Sequence, residues 1–391
     1  MPENLYLLLS FSISFAVVFF AVPKIIAVAH AKKLFDIPTH RSASKNSIIP
    51  NLGGIAIFSG IYISVIISLE GFDYNKIAAL ALVSFLMFLM GLKDDMIGLS
   101  AGKKLIGQLF VSLYLIVLCN IRFTNLHGIF GLNEISYGLS LILTLVIIIG
   151  LINAFNLIDG IDGLASGIGT VISASYGFMF MYFGQLEFSI VSFSITGALV
   201  SFFFYNVFGA ENKIFMGDTG SLTLGVLFAV LTIWYNELTP THGISNLLWS
   251  SPAISLSIMI VPVIDSIRVF YIRISQRRSP FSPDMNHIHH HLIQITKKNH
   301  LHATFILILG NILLICLAFG LINLVGNSIL FAIILGAGLL MAHIPVMITR
   351  NMKSEPETKQ KKSAKDGTAL HVVRSDNKPS YTGHKQTAGM S

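Results

Sequence analysis

Apolar and polar residues alternate along this chain in long blocks. Eleven apolar stretches follow one another, and most approach the roughly 20 residues that a helix needs to cross a bilayer. They span residues 4–29, 48–69, 77–92, 104–121, 136–152, 164–184, 188–208, 220–235, 248–272, 303–325 and 328–349. The third and the eighth are short, but omitting either would place charged loops on conflicting sides. The pattern predicts an all-α polytopic membrane protein with about 11 transmembrane helices.

Composition supports this fold class. Of the 391 residues, 53% are hydrophobic and only 12% are charged, whereas a soluble domain has about 25% charged residues. Residues 1–351 are predicted to form one transmembrane domain, because no soluble domain fits between the apolar stretches. Residues 352–391 are polar and rich in Lys, Ser and Thr, which predicts a disordered tail.

The distribution of Lys and Arg predicts the orientation. Counted from the N-terminus, the odd-numbered loops and the tail hold many of these residues, whereas the even-numbered loops hold only Lys76 and Arg122. Cytoplasmic loops of membrane proteins carry an excess of Lys and Arg. The odd loops and the C-terminal tail are therefore predicted to be cytoplasmic, with the N-terminus outside.

Four polar segments fall on that predicted cytoplasmic side. They read GLKDDMIGLSAGKKLIGQ, NAFNLIDGIDGLASG, KIFMGDTGS and RRSPFSPDMNHIHHHL. Carboxylates beside basic residues and glycines at helix ends indicate a site for a metal ion and phosphates. We expect these four segments, which we call the polar segments, to converge on one face of the protein.

The aspartates of the polar segments differ in spacing. Asp94 and Asp95 are adjacent, so on a helix they point about 100° apart and can serve two partners. Asp159 and Asp162 are three residues apart and would share one helical face. Asp218 precedes an apolar stretch, where a carboxylate can hold a hard cation such as Mg²⁺. Each set also has a purely structural alternative. Asp94 and Asp95 could be solvated loop charges, Asp159 and Asp162 could belong to a turn that connects two helices, and Asp218 could cap a helix.

The histidines of the last polar segment permit two interpretations. The cluster of His287, His289, His290 and His291 could bind zinc. No cysteine lies nearby, however, and three arginines lie between residues 273 and 278, which suits an anionic phosphate better. We therefore favour contact with a phosphate or a sugar over zinc.

Together, the polar segments resemble those of the polyprenyl-phosphate N-acetylhexosamine-1-phosphate transferases, which belong to glycosyltransferase family 4. The resemblance covers roughly residues 30–295 and includes the helix count and orientation. A weaker fifth match is PVIDSI, which contains Asp265. The chain departs from the family before the FMGD motif, where NVFGAENKIFMGD has Gly209 at a usual proline position and two extra residues.

The resemblance implies roles for particular residues. It implies a magnesium ion, with Mn²⁺ as an alternative, held by Asp218 and Asp95. The implied catalytic residues are Asp94, Asp95, Asp159, Asp162 and Asp218. The implied substrate-binding residues are Lys104, Asn156, Asn206, Phe215, Arg273, His287, His289 and His290. Among these, Asn206 and Phe215 would line the uridine, and Arg273 with the histidines would contact the diphosphate and sugar.

The implied reaction transfers GlcNAc-1-phosphate from UDP-GlcNAc to undecaprenyl phosphate. Its products are undecaprenyl-diphosphate-GlcNAc and UMP, and it begins a cell-envelope glycan at the cytoplasmic face of the bacterial inner membrane. A phosphomonoester has a second pKa of about 6 and is mostly dianionic at pH 7, which favours direct attack by the lipid phosphate. A covalent aspartyl-phosphate route stays open.

Two alternatives to this function remain. HIHHHLIQ after SPFSPDMN favours the N-acetylglucosamine branch over the phospho-MurNAc-pentapeptide transferases of peptidoglycan synthesis. An ion-coupled transporter is less favoured, because the acidic residues lie at helix ends and no inverted repeat is visible. The expected partners are the two substrates and membrane lipids, without nucleic acid. The oligomeric state is open, with a homodimer as one alternative.

Overall fold

The computed structural model describes residues 3–32, 49–69, 75–238, 245–278, 286–297 and 299–366. These residues are mostly helical. The helices are α1 (Glu3–Lys32), α2 (Gly53–Ser68), α3 (Asn75–Ile97), α4 (Ala101–Leu113), α5 (Tyr137–Ile158), α6 (Leu164–Tyr182), α7 (Leu186–Phe208), α8 (Gly217–Asn236), α9 (Ser245–Trp249), α10 (Ser251–Ile258), α11 (Ile260–Ser275), α12 (Ile288–Ile295), α13 (His300–Leu321) and α14 (Asn327–Asp366). A π-helical turn, Tyr114–Leu118, extends α4.

Among the described residues, nine helices are long and apolar enough to cross a membrane. The 16-residue α2 is shorter, and α10 and α11 form a pair bent by 78° that could serve as one span. The all-α polytopic class is therefore confirmed. The predicted number of eleven corresponds to the nine helices with α2 and the bent pair, and both this number and the orientation of the termini stay predictions.

The prediction of one continuous helix over residues 248–272 is wrong. The structure has three helices there, and the sharp bend falls at Met259, between α10 and α11. Pro262 lies in the first turn of α11 and has no N–H with which to continue the bonding pattern of α10. The pattern restarts when the Val263 N–H donates to the Met259 carbonyl at 3.2 Å.

A small hairpin, which the sequence did not predict, connects α4 to α5. Its antiparallel strands are β1 (Asn125–Ile129) and β2 (Leu132–Glu134). The two connecting residues, Phe130 and Gly131, have φ angles of 51° and 80°. Positive φ at both central positions is the conformation that suits a two-residue hairpin turn.

Helix α8 is the most buried of the nine candidate spans, with 83% of its apolar window inside the protein. It packs against α2, α3 and α5. Glycines permit these close approaches: a Cβ on Gly54 would lie 2.2 Å from the Gly220 nitrogen, and one on Gly91 would lie 2.4 Å from the Asp218 carbonyl oxygen. The packing places the first turn of α8, which contains Asp218, beside the end of α3.

The chain divides into two compact units, and the second contains the C-terminal residues. The first unit ends at Met347 and the second begins at Ile348. Helix α14 continues to Asp366, beyond the domain boundary predicted at residue 351. Residues 367–391 lie outside the described part of the chain, so the predicted disorder of the tail stays a prediction.

Candidate active site

The site is built around the first turn of α8. Gly217, the first residue of α8, has a φ angle of +70°. A Cβ at this position would lie 2.1 Å from the Asn51 carbonyl oxygen and 2.5 Å from Oδ2 of Asp95. Only glycine fits both the conformation and the space, and this explains the glycine in FMGD directly before Asp218.

Asp95, at the end of α3, caps the N-terminus of α8. Its Oδ1 accepts the backbone N–H of Asp218 at 2.8 Å, and its Oδ2 accepts the Thr219 N–H at 2.8 Å and the Thr219 hydroxyl at 2.5 Å. The first N–H groups of a helix have no partner within the helix, so this carboxylate satisfies two of them. Both oxygens of Asp95 thus bind α8, which gives this residue a structural task, and its role as a metal ligand stays a prediction.

Asp94 points toward a different partner. Its carboxylate forms an ion pair with the ammonium group of Lys104, and its Oδ1 accepts the Leu99 N–H at 2.5 Å. The Lys104 ammonium also lies 2.5 Å from Oδ2 of Asp218. One cationic group is thus held between two carboxylates from α3 and α8, at a position where the side chains are partly exposed.

Asn156, near the end of α5, completes the surroundings of Asp218. Its amide nitrogen donates to Oδ1 of Asp218 at 3.1 Å and to the Ser221 hydroxyl at 2.7 Å. One turn earlier, Asn153 donates to Oε1 of Gln108 at 2.7 Å and so links α5 to α4. The carboxylate of Asp218 is therefore oriented by α4 through Lys104 and by α5 through Asn156.

Asp159 lies in the loop between α5 and α6. Loss of solvent contact is the main cause that raises the pKa of the Asp159 carboxyl to about 7, and the negative charges of three neighbouring aspartates, with Asp218 the strongest, add to it. Its protonation therefore changes near neutral pH. This property distinguishes it from Asp162 in the same loop.

Asp162 faces the outer part of the site. Its Oδ2 lies 2.7 Å from the Lys213 ammonium and 3.2 Å from Nδ1 of His300. Burial opposes ionisation, but the hydrogen bonds from His300 and Lys213 outweigh it and hold the pKa of Asp162 below its usual range. Asp162 and His300 line an open cavity of about 550 Å³, together with Lys297 and Asn299.

Asn206, on α7, holds two loops of the site together. Its Oδ1 accepts the Gly163 N–H at 2.6 Å, and its Nδ2 donates to the Ile214 carbonyl at 2.9 Å. The side chain is buried, with 6% of its surface exposed. Both ends of the amide therefore bind backbone, which favours a positioning task, and its predicted contact with uridine stays a prediction.

Phe215 precedes the first turn of α8 and is partly buried. Its backbone pairs with the segment before α2: its N–H donates to the Pro50 carbonyl at 2.9 Å, and its carbonyl accepts the Gly53 N–H at 3.0 Å. The Lys213 ammonium lies 5.9 Å from the centre of the Phe215 ring. The part of the ring that remains accessible is compatible with the predicted stacking on a base, which stays a prediction.

The histidine block occupies the start of α12. His289 is 2% exposed and packs so closely on Gly160 that a Cβ there would lie 2.4 Å from its Nε2. Burial lowers the pKa of His289 to about 3, so this ring is neutral at pH 7. His290 is partly exposed, whereas His287 and Arg273 are buried. Among the predicted histidines, His290 is the best placed to meet a ligand.

The described parts of the four polar segments therefore lie together, as predicted, whereas residues 279–285 of the last segment lie outside the described part of the chain. Contacts link Asp95 to α8, Lys213 to Asp162, and His289 to Gly160. The sequence assigned no site residue to the segment Pro50–Gly54, whose backbone pairs with that of residues 215 and 216. The paired glycines in IPNLGG were a signal for this close approach.

Carboxylates around one lysine, at the ends of candidate membrane-spanning helices, can hold a hard cation and an anionic phosphate, as a membrane enzyme that acts on phosphate groups requires. A family model described as "Glycosyl transferase family 4" matches residues 77–236, which include most of this site. The chain is 33% identical over 266 residues to the undecaprenyl-phosphate alpha-N-acetylglucosaminyl 1-phosphate transferase of Escherichia coli O157:H7, covering 67% of this chain and 70% of that protein.

Two other relatives agree with this match. The protein of the same name in Salmonella typhi is 30% identical over 260 residues, which cover 66% of this chain and 68% of that protein. A probable undecaprenyl-phosphate N-acetylglucosaminyl 1-phosphate transferase of Bacillus subtilis (strain 168) is 30% identical over 307 residues, 78% of this chain and 82% of that protein. The chain belongs to glycosyl transferase family 4, and it is a multi-pass membrane transferase.

Proposed function

We propose that this chain transfers GlcNAc-1-phosphate from UDP-GlcNAc to undecaprenyl phosphate. The products are undecaprenyl-diphosphate-GlcNAc and UMP. The observation that carries the proposal is the arrangement of Asp94, Lys104 and Asp218 at the ends of three candidate spans. The names of the relatives, at 30–33% identity, supply the substrate class.

The reaction brings two anionic phosphates together, so its main obstacle is electrostatic. An oxygen of the lipid phosphate forms a new bond to the sugar-proximal phosphorus of UDP-GlcNAc. The bond from that phosphorus to the bridging oxygen breaks, and UMP leaves with the electron pair. Lys104 supplies a positive charge beside this position, and its two carboxylate partners keep its ammonium in place. Catalysis of this type depends on positioning and charge.

The carboxylates of this site fit a magnesium ion. Asp218 and Asp94 would hold it in place of the Lys104 ammonium, which now lies between their carboxylates and would then pair with a phosphate. A bound Mg²⁺ would neutralise diphosphate charge and polarise a phosphoryl oxygen. Asp95 supports this set from behind: its oxygens accept N–H groups of α8 and fix the backbone of Asp218. We therefore propose Asp218 and Asp94 as the metal ligands, whereas the resemblance implies Asp218 and Asp95.

Direct attack by the lipid phosphate needs no base. At pH 7 a phosphomonoester with a second pKa of about 6 has already lost its last proton for the most part. Asp159, with a pKa of about 7, is partly protonated at that pH, which reduces the negative charge that meets the incoming diphosphate. We assign Asp159 to the diphosphate side of the site because its neighbour Gly160 packs against His289, in the histidine block that the resemblance places at the diphosphate.

The site is proposed to face the cytoplasm, in the inner membrane of a bacterium. Its residues lie in the odd-numbered loops, which carry most of the loop lysines and arginines. UDP-sugars are made in the cytosol and undecaprenyl phosphate stays in the bilayer, so a site at this surface can reach both.

The decisive experiment measures UMP release by the purified protein in detergent, with undecaprenyl phosphate and Mg²⁺. UDP-GlcNAc, UDP-GalNAc, UDP-glucose and UDP-MurNAc-pentapeptide are supplied separately. We expect UMP and a lipid-linked sugar with UDP-GlcNAc, and at least tenfold less turnover with the others. Greater turnover with UDP-MurNAc-pentapeptide would assign the chain to peptidoglycan synthesis. No lipid product with any donor would contradict the transferase function.

A further inference from the structure

The histidine block is attached to the rest of the protein through one buried carboxylate. Asp265, on α11, is 2% exposed. Its Oδ1 accepts the Ile288 N–H at 2.8 Å, and its Oδ2 lies 3.0 Å from Nδ1 of His287. Helix α12 begins at Ile288, and no side-chain hydrogen bond from His287 caps it. Asp265 therefore supplies the cap from a neighbouring helix.

A second bond from α11 holds the same segment. Arg268 donates to the Asn286 carbonyl at 2.5 Å, three residues along α11 from Asp265. Helix α12 has only eight residues, and helices of this length are not stable without packing or caps. The bonds from α11 therefore help to position α12, which also packs against α13.

The same three side chains could suggest a metal site. Ligand-type atoms of Asp265, His287 and His289 lie within 4.8 Å of one another. Both oxygens of Asp265, however, are within hydrogen-bonding distance of nitrogen donors, whereas Nδ1 of His289 lies 3.9 Å away. A metal ion here would have to replace the proton between Asp265 and His287. The geometry favours the hydrogen-bonded pair.

We propose that Asp265 is a positioning residue that holds His287 with its proton on Nδ1 and fixes the N-terminus of α12. A carboxylate can only accept at this distance, so the His287 nitrogen that faces it must donate. Two residues further along, His289 packs on Gly160, in the loop that also contains Asp159 and Asp162. Asp265 thereby keeps the histidine block, including the partly exposed His290, against the diphosphate side of the site.

The first test compares two substitutions of His287. In His287→Asn, the amide nitrogen takes the place of Nδ1 and still donates to Asp265; in His287→Gln, it takes the place of Nε2 and does not. We expect His287→Asn to exceed His287→Gln by about tenfold in kcat/KM for UDP-GlcNAc and to have the higher Tm, since losing a hydrogen bond to a buried carboxylate costs about tenfold or more. The opposite order would show that Nε2 matters, and would overturn the proposal.

The second test is Asp265→Asn. The amide can still accept from Ile288, but its NH₂ group now faces His287 and moves the imidazole proton to Nε2, as occurs when a carboxylate beside a histidine is replaced. The ¹⁵N signals assigned to His287, by their loss in His287→Asn, should indicate an Nδ1 proton in the wild type and an Nε2 proton in the variant. A wild-type proton on Nε2 would contradict the proposal.

Kinetics and metal analysis complete the test. Asp265→Asn should raise KM for UDP-GlcNAc about tenfold while KM for undecaprenyl phosphate changes less than twofold, and Glu134→Gln, an exposed control on β2, should change neither. One equivalent of zinc in the wild type that Asp265→Asn lacks would overturn the proposal in favour of a metal site. The kinetic result rests on the proposed function, but the ¹⁵N result does not. A wild type that releases no UMP would therefore refute the function and leave the tautomer assignment standing.

Discussion

The backbone N–H of Asp218 donates to Oδ1 of Asp95 at 2.8 Å, across the contact between α8 and α3. The neighbouring Asp94 instead pairs with Lys104, whose ammonium also contacts the Asp218 side chain. Two adjacent aspartates thus act on the same residue in different ways: one fixes its backbone and the other faces its carboxylate. The divergence of about 100° between adjacent helical positions makes this division possible.

This division predicts different effects for the two aspartates. In Asp95→Asn, one oxygen remains to accept the two N–H groups of α8 that now bind one oxygen each, so we expect a loss of stability of about 1 kcal/mol, typical of one hydrogen bond. Turnover should fall while the Mg²⁺ concentration for half-maximal activity stays within twofold. Asp94→Asn should leave Tm nearly unchanged and raise that concentration at least tenfold.

The measurements are Tm in detergent and UMP release over a Mg²⁺ titration, with Glu134→Gln as the exposed control. A raised magnesium requirement in Asp95→Asn, without a change in Tm, would restore Asp95 as a direct metal ligand. That result would also mean that the carboxylate leaves the α8 N-terminus when the substrates bind.

Asp218→Asn tests the centre of the site. The amide keeps one oxygen but no charge, so it loses the attraction to Lys104 and to a metal ion. Loss of one preorganised electrostatic contact costs about 10²–10³-fold in turnover, and we expect at least this loss of UMP release. The predicted alternative, a helix cap, is not what the structure shows, because Asp95 caps α8 and the Asp218 side chain does not. If Asp218 only oriented its neighbours, the variant would retain near-wild-type activity with the same magnesium dependence.

Much of this site could be predicted from the sequence, because its residues occur in short motifs at helix ends. The convergence of the polar segments followed from the topology, since helices that cross a bilayer return their ends to two surfaces. The different tasks of Asp94 and Asp95 did not follow. They depend on which helix packs beside α3, and adjacent letters in a sequence contain no information on that.

The sequence predicted neither the bend in residues 248–272 nor the hydrogen bonds of Asn206 to backbone groups, and the reasons are related. Hydropathy shows that a segment is apolar, but not that Pro262 interrupts its hydrogen bonding within a membrane-buried environment. Asn206 was assigned by its position in a motif, whereas its contacts are set by two loops, at Gly163 and Ile214, that are distant in sequence. Tertiary contacts of this kind are not visible in local patterns.

Asn206 predicts a separable effect on stability. Asn206→Asp keeps an oxygen for the Gly163 N–H but places a second oxygen against the Ile214 carbonyl, which has lost its donor. Leaving a buried acceptor unsatisfied costs about 1–3 kcal/mol, so Tm should fall clearly. The folded fraction should keep its KM for UDP-GlcNAc within about threefold. A tenfold higher KM at unchanged Tm would instead support the predicted contact with uridine.

Asp159 predicts a dependence of stability on pH. Its folded-state pKa of about 7 lies above the ordinary value of about 4. Between these two values the folded protein binds more protons than the unfolded chain, so the free energy of unfolding falls as pH rises from about 4 to 7 and then levels off. In Asp159→Asn residue 159 does not titrate. The Tm of this variant should therefore rise relative to the Tm of the wild type as the pH increases from 5 to 8.

The two pKa values correspond to a gain of about 2–3 kcal/mol between pH 5 and pH 8, at about 1.4 kcal/mol for each pH unit of full titration. Measuring Tm of both proteins at pH 5 and pH 8 isolates Asp159, since the other carboxylates titrate in both. Glu134→Gln again serves as the control and should parallel the wild type. A constant difference between Asp159→Asn and the wild type across this range would mean that Asp159 has an ordinary pKa.

The orientation of the chain is the last prediction, and the proposed function depends on it. Ser100, between α3 and α4, and Asn133, in β2, are both exposed and lie in successive loops. In a background where Cys119 and Cys316 are replaced by Ser, Ser100→Cys should react with a membrane-impermeant maleimide only from the cytoplasmic side. Asn133→Cys should react only from outside, because the loop after α4 carries few positive charges.

Inverted membrane vesicles compared with intact cells provide the two sides, and detergent gives full labelling of both variants. The reverse pattern would place Asp94, Lys104 and Asp218 on the outer side, away from the cytosolic UDP-sugars, and the proposed function would then fail with the topology.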